Sequence, residues 1–163
     1  MVTKAWVWTA LLAASTAVAG CGEPEVPGGS SPRVSDGARQ FVERACQSTP
    51  EAVSKRIPGA VATYRADAPG GLNCSWSAAA GNPLDRVLLA ALQQGDLAAW
   101  RKLNAGTSED LVIRDRPAVL ARNDKGCSVL LEIESTVVSA DFGGGDDSDC
   151  GHAKALIEEL TTP

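Results

Sequence analysis

Residues 127–133 read CSVLLEI, and this stretch decides the fold because its alternate positions are apolar. Side chains on an extended strand alternate between its two faces, so one face of this strand is continuously apolar. That face carries Cys127, Val129, Leu131 and Ile133. Residues 72–78 (LNCSWSA) repeat the pattern, and one of their faces carries Leu72, Cys74, Trp76 and Ala78. The sequence therefore predicts two core-facing strands that each contribute a cysteine.

The C-terminal segment predicts a helix that packs on those strands. Its apolar residues recur at three- and four-residue spacing, which places them on one helical face. They are Cys150, Ala153, Leu156, Ile157 and Leu160. Ser148 or Asp149 is a suitable N-cap. Because Cys150 points inward with this stripe, it can meet Cys127 on the strand below.

The cysteine count indicates disulfides in an exported chain. There are five cysteines, and assignment of Cys21 to a lipid anchor, argued below, leaves four for two bridges. Four cysteines allow three pairings, and the sequence does not choose strictly among them. The facing directions favour Cys127 with Cys150, which leaves Cys46 with Cys74. Zinc is the alternative, but the sequence has no Cys-x-x-Cys pair and His152 is its one histidine, so we expect no metal site and no cofactor.

The first twenty residues have the pattern of an export signal. Lys4 precedes an uncharged, largely apolar stretch of about fifteen residues, whereas a transmembrane helix needs about twenty. Residues 18–21 (VAGC) resemble the lipobox of bacterial lipoproteins, which implies acylation of Cys21 and cleavage after Gly20. A signal peptide cut elsewhere, with an incidental Cys21, is the alternative. We predict a signal peptide at 1–20 and a lipid anchor at Cys21 on the extracytoplasmic face of the cell membrane.

Composition divides the remaining chain into a tether and one domain. Residues 21–36 are rich in Pro, Gly and Ser without apolar periodicity, which predicts a lipidated flexible tether ahead of a single globular domain at 37–163. Removal of residues 1–20 takes away one positive charge, so 14 Lys and Arg face 20 Asp and Glu, a net charge of −6. Such an acidic domain is not expected to bind nucleic acid or anionic lipid headgroups.

The other elements predict an α+β domain. Helices are expected from Asp36, after Pro50, and at 96–103 with Asp96 as N-cap. Strands are expected at 60–66, 72–79, 85–93, 110–114, 117–123, 128–135 and 137–141. Segment 85–93 (DRVLLAALQ) is ambiguous between strand and helix, because a short apolar run has no distinguishing period, and we interpret it as a strand. The prediction is a mostly antiparallel sheet of five to seven strands, with N-terminal and C-terminal helices packed on it and two disulfides.

The order of these landmarks resembles the actinobacterial lipoprotein family called domain of unknown function 3558. The matching residues are Cys46 with Thr49-Pro50-Glu51, then Cys74-Ser75-Trp76, Arg116-Pro117-Ala118, Gly126-Cys127, and Asp149-Cys150 leading to Ala153 and Leu160. The resemblance covers about residues 46–160. It implies an exported lipoprotein domain with two disulfides and no assigned chemistry.

Groups suited to catalysis are few. His152 falls in the first turn of the last helix, where an exposed surface residue is the simplest interpretation. Glu132 and Glu134 are expected side by side on the outward face of a strand, where a solvated surface explains them better than acid–base chemistry does. The sequence contains no Gly-x-Ser-x-Gly elbow, P-loop or His-Glu-x-x-His. We therefore predict no catalytic residues.

Two further groups are weighed as binding residues. The acidic loop with Asp141, Asp146, Asp147 and Asp149 lacks the spacing of an EF-hand, so a solvated loop and a helix N-cap explain it better than Ca²⁺ binding. Trp76 is interpreted as packing on a disulfide and Trp100 as a core residue of its helix. These two tryptophans are nevertheless the candidates for lining a ligand groove.

These observations predict a membrane-anchored, extracytoplasmic binding or interaction module of the cell envelope that is not an enzyme. Its partners are the membrane, through Cys21, and an envelope protein, lipid or glycan. The alternative is an envelope hydrolase or transferase that uses acidic residues such as Glu132, Glu134 or Asp147.

Overall fold

The computed structural model of the chain describes residues 33–68, 71–80, 85–92, 96–124, 126–144 and 148–162. The predicted signal peptide, Cys21 and the tether up to residue 32 lie outside these ranges. Among the helices of the described ranges, none combines the length and the apolar character needed to cross a membrane.

Four helices and seven strands occur in these residues, and they confirm the α+β class. The helices are α1 (Asp36–Ala45), α2 (Glu51–Arg56), α3 (Leu97–Leu103) and α4 (Asp149–Leu160). The strands are β1 (Val61–Arg65), β2 (Gly71–Ser77), β3 (Arg86–Leu92), β4 (Ser108–Ile113), β5 (Arg116–Asn123), β6 (Gly126–Ile133) and β7 (Thr136–Gly143). The ambiguous segment 85–93 is a strand, as interpreted.

One sheet contains the seven strands, in the order β1-β2-β3-β7-β6-β5-β4 with every neighbour antiparallel. The β4–β5 and β6–β7 hairpins turn through Arg114-Asp115 and Glu134-Ser135, and all four of these residues have positive φ. Two-residue hairpin turns need this geometry to match the twist of the strands. Strands β3 and β7 pair in the middle of the sheet although they are far apart in the sequence. Their pairing joins the half formed by β1–β3 to the half formed by β4–β7.

Helices α1, α2 and α4 cover one face of the sheet. α1 lies against β2 and β3, α4 lies against β6 and β7, and α2 packs on α4. We call this side the covered face, and its sheet residues include Leu72, Cys74, Trp76, Val87, Leu89, Val129, Leu131, Ala140 and Phe142, all at most 2% exposed. Both predicted strand faces and the α4 stripe point into this core. Two helix starts have a capping side chain, because Ser35 accepts the Ala38 N–H and Asp96 accepts the Ala99 N–H. Ser148 precedes α4 as expected but forms no side-chain capping hydrogen bond.

The two disulfides join the helical layer to the sheet. Cys46 at the end of α1 is bonded to Cys74 in β2, and Cys127 in β6 is bonded to Cys150 in α4. This is the pairing that the facing directions favoured. Each bridge closes a loop of more than twenty residues, with sequence separations of 28 and 23. Each helix is thus held covalently over the strands on which it packs.

A buried ion pair fixes the start of α4. Asp149 is fully buried, and its Oδ1 accepts a hydrogen bond of 2.9 Å from Nε of Arg56 at the end of α2. The same guanidinium lies 3.4 Å from Asp85 Oδ1 and 3.5 Å from the carbonyl oxygen of Gly143. A carboxylate without water needs such a partner, because an unpaired buried charge costs several kcal/mol. Arg56 therefore ties α2, α4 and the ends of two central strands together.

Candidate functional site

The opposite face of the sheet is only partly covered by the described residues. Helix α3 lies on β5 and β6, where Leu97 packs in a small second core with Val119, Ala121, Leu130 and Val137. Beyond this helix the at least partly exposed residues of the face include Asn73, Ser75, Arg86, Leu88, Ser128 and Asp141. We call these six residues the open face.

Strand register brings the centre of the open face together. Asp141 of β7 lies between Leu88 of β3 and Ser128 of β6, and Leu88 is in turn opposite Ser75 of β2. Directly paired residues on one face have Cβ atoms about 5 Å apart, so their side chains contact each other. A carboxyl group, a hydroxyl group and an aliphatic side chain are thus adjacent on a rigid sheet.

Asp141 is the most unusual charge on the open face. Burial raises the pKa of Asp141 above its ordinary value, while hydrogen bonds from Ser128 and Ser139 and the positive charge of Arg86 lower it by less. The Ser139 hydroxyl donates a bond of 2.7 Å to Asp141 Oδ1. Desolvation therefore disfavours the charged carboxylate, and a further donor or cation beside it would be stabilising.

A pair of glycines opens a recess beside this carboxyl group. Gly126 and Gly143 are directly paired at the ends of β6 and β7, and alternation places them on the same face as Asp141. Gly126 has φ of +147°, and a Cβ there would lie 1.9 Å from the Phe142 carbonyl oxygen, so this position requires glycine. The missing side chains leave a recess of about 250 Å³, which Arg86, Leu88, Ser128 and Asp141 also line.

The recess has the groups of a small binding site. Asp141 offers carboxylate acceptors, Arg86 a cationic donor, Ser128 a hydroxyl, and Leu88 an apolar wall. Pockets that orient a ligand combine apolar surface with a few placed polar groups. Among the described residues that line it there is neither a second carboxyl group nor an imidazole, and these are the groups that acid–base chemistry needs. Binding is what this arrangement supports.

The two tryptophans proposed for a ligand groove lie on opposite faces. Trp76 has no exposed surface and packs in the core, and its indole N–H donates 3.2 Å to the Ser48 carbonyl oxygen. A ligand cannot reach it in this fold, so the packing interpretation holds and the groove interpretation is wrong for Trp76. Trp100 in α3 is partly exposed and packs against the second core.

The two glutamates are not the adjacent pair that the sequence suggested. Glu132 is exposed on β6, but the strand ends at Ile133 and Glu134 lies in the following turn with φ of +47°. The Glu134 carboxylate accepts the Gly37 N–H at 2.9 Å, in the first turn of α1. This carboxylate satisfies a helix N-terminus, which has free N–H groups and a partial positive charge. Glu134 is therefore not on the strand as expected, although Glu132 and Glu134 both line one recess of about 580 Å³.

The acidic loop is also divided by the fold. Asp141 belongs to β7 and faces the recess, whereas Asp149 is buried against Arg56; Asp146 and Asp147 lie outside the described residues. Asp141 thus lies in the strand predicted at 137–141 and Asp149 begins the predicted helix, so neither is part of a solvated loop. Within the described ranges, no three His, Cys, Asp or Glu side chains are grouped to hold a metal ion.

His152 is half-buried and not fully exposed as expected. Its ring stacks on that of Phe142, with centroids 6.0 Å apart and planes 18° apart. Contact with a core aromatic ring explains its position without a catalytic role. Sequence reasoning considered Asp141 only as part of the acidic loop and missed its place beside the recess. One signal was present: Val137, Ser139 and Asp141 alternate, which places two polar groups on the same face of a central strand.

Comparisons with known proteins leave the family open. No family model, curated protein or solved structure matches the chain. The resemblance to domain of unknown function 3558 stays a prediction from the residues quoted above. The role of the recess beside Asp141 is therefore inferred from the side chains that line it.

Proposed function

We propose that this chain is a lipid-anchored extracytoplasmic lipoprotein that binds a ligand of the cell envelope on its open face and is not an enzyme. The anchor rests on the sequence at 1–21, where an export signal ends in VAGC. The two disulfides support it, because such bridges persist mainly in oxidising compartments outside the cytosol.

The observation that carries the binding role is the recess beside Asp141. A half-buried carboxyl group, hydrogen-bonded by Ser139 but still disfavoured in its charged form, lies where glycines leave the sheet uncovered. A ligand that brings hydrogen-bond donors would compensate the lost hydration of this group. The recess volume of about 250 Å³ suits one compact polar group, such as part of a glycan or a polar headgroup, better than a large ligand.

The acidic-residue hydrolase or transferase is the weaker alternative. Glycoside hydrolysis, its typical case, needs two carboxyl groups about 5–10 Å apart across the substrate. Glu134 is bonded to the start of α1, and the described lining of the recess contains Asp141 as its carboxyl group. The described lining of this recess supplies no second carboxyl group, and Glu132 and Glu134 line a different recess.

The ligand role is tested by purifying the protein from its native envelope and identifying co-purified small molecules by mass spectrometry. Asp141→Ala should lose the bound species, because the carboxylate acceptors are removed. Glu132→Ala is the matched control: it removes an exposed carboxylate from the neighbouring strand on the same side, outside the recess. Equal retention by wild type and both variants would contradict ligand binding at Asp141.

The anchor is tested separately with Cys21→Ala. This variant should lose the acyl label and appear in the medium, because one sulfur carries the lipid. The unchanged disulfide pattern of the folded domain provides the control for correct export and folding. A Cys21→Ala protein that stays with the membrane fraction would overturn the anchor.

A further inference from the structure

A second recess of about 280 Å³ lies on the other side of the domain, at the rim of the covered face. Its polar lining includes Gln40 and Arg44 of α1 and Arg116, the first residue of β5. Thr161 and Thr162, which follow α4, also line it. Its described lining holds two guanidinium groups and no carboxylate. That balance is unexpected in a chain with 20 acidic and 15 basic residues.

Local structure explains why both arginines are there. Gly37, Gln40, Phe41 and Arg44 recur at helical spacing, so α1 presents one face to the recess. Arg116 follows the tight Arg114-Asp115 turn, and Arg114 in that turn donates 2.8 Å to the Thr162 hydroxyl. Among the described residues, neither Arg44 nor Arg116 forms an ion pair with a carboxylate. Both guanidinium groups are therefore available to a ligand.

The chemistry of the lining selects an anion. Arginine presents a planar set of N–H donors that matches the oxygens of a phosphate group, and such charge-assisted bonds are stronger than neutral ones. The Gln40 amide adds neutral donors at the rim. The described lining of this recess contains no carboxylate, although Glu132 and Glu134 line a neighbouring recess that shares Arg116.

The recess also lies where the chain leaves the domain towards its N-terminus. The Ser35 N–H donates 2.9 Å to Thr136 Oγ1, and the Ser35 hydroxyl donates 3.1 Å to the Ile133 carbonyl oxygen. Ile133 and Gly37 both line the recess, so the described chain begins beside it. All residues before Arg33, including Cys21, connect to the domain at this rim. An anchor at Cys21 would keep this rim, where the predicted tether joins the domain, within reach of the membrane surface.

We propose that Arg44 and Arg116 bind the phosphate group of an anionic phospholipid in the membrane that holds the anchor, and so orient the domain with its open face away from the headgroups. This inference rests on the proposed lipid anchor for its choice of a membrane phosphate over a free one. It departs from the expectation from net charge, because headgroup contact depends on charges within about 10 Å of the surface and not on the sum over the domain.

The experiment uses the predicted mature chain, residues 21–163, carrying Cys21→Ser, so that binding is measured without acyl chains and without the apolar export signal. Vesicles of phosphatidylglycerol and of phosphatidylcholine are titrated at low salt, and the bound fraction is measured by sedimentation. We expect binding to the anionic vesicles alone, weakened about fivefold by Arg44→Gln and about fivefold by Arg116→Gln, as for one basic residue at a lipid surface. Arg39→Gln is the matched control, since Arg39 lies on α1 and outside the lining.

Each outcome decides between sources of the anion. Equal weakening by Arg39→Gln would replace the site with a general electrostatic attraction and overturn the proposal. Shifts of the arginine side-chain NMR signals with inorganic phosphate, without vesicle binding, would overturn the membrane source. Vesicle binding by the Cys21→Ser chain would support the site even if Cys21 proved not to be acylated, so failure of the anchor is separately visible. Thermal unfolding of each variant verifies that the fold is intact.

Discussion

The two faces of the sheet use the same strands for different purposes. The covered face carries apolar side chains with almost no exposure, and two disulfides hold helices over it. The open face keeps a carboxyl group, hydroxyls and an arginine at least partly exposed, and the short helix α3 covers only the neighbouring strands. Successive side chains of one strand point to opposite faces of the sheet. A shift of one position along the strand therefore decides whether a residue packs in the core or remains available to a ligand.

This difference also explains where a half-buried charge is tolerated. Burial disfavours the charged form of Asp141 at the open face. The fold tolerates this because the opposite face contains most of the buried apolar residues. A binding site that is strained or desolvated requires a scaffold that is stable without it. Changes on the covered face should therefore affect stability strongly, and changes on the open face should affect binding and pH dependence.

The largest expected difference between the faces comes from their tryptophans. Trp76→Ala should lower the free energy of unfolding by about 4 kcal/mol, because it removes a fully buried side chain and leaves a cavity. Trp100→Ala should cost about 1–2 kcal/mol, since its side chain is only partly buried on α3. Urea unfolding of both variants measures the difference. Equal losses would show that α3 protects its face as well as the other helices protect theirs.

The disulfides should contribute next. Replacing Cys127 and Cys150 together by alanine should lower the free energy of unfolding by about 3.5 kcal/mol, from the entropy that a loop of this length gains in the unfolded chain. The Cys46 and Cys74 double variant should lose a similar amount, because its separation of 28 is close to 23. Thermal unfolding of both variants is the measurement. A loss of less than about 1 kcal/mol in either would contradict this account of how the helices are held.

The covered face was predictable from sequence because its signals agree. The alternation at Leu72, Cys74 and Trp76, the helical spacing after Cys150, and the facing cysteines all point into one core, and the structure confirms them. Segment 85–93 was harder because β3 lies in the middle of the sheet. Residues on both of its faces are buried, so it lacks the alternation of a half-buried strand.

The open face was predictable only in part, because it depends on where strands end. The sequence suggested that β6 continues past Ile133, but the chain turns there with positive φ at Glu134 and Ser135, which are not glycine or asparagine. The predicted strand ends at Asp141, yet β7 continues to Gly143. The glycine recess depends on the pairing of Gly126 with Gly143, and strand register is a tertiary property that a single strand does not encode.

The smallest expected effect is the pH dependence that Asp141 gives to stability. Burial raises its pKa in the folded protein above the ordinary value of 3.8, so the folded state binds this proton more tightly than the unfolded state does. The free energy of unfolding should therefore fall as pH rises from the unfolded pKa through the folded one, and stay lower at neutral pH. Asp141→Asn removes this loss. The difference in free energy of unfolding between the variant and wild type should therefore grow across that interval and then become constant.

Glu132→Gln, which removes an exposed carboxylate on β6, controls for the loss of one negative charge. Urea unfolding across the acid range provides the curves: if Asp141→Asn and wild type run parallel, Asp141 is not desolvated in the folded protein, and the recess loses the property that makes a donor-bearing ligand favourable there.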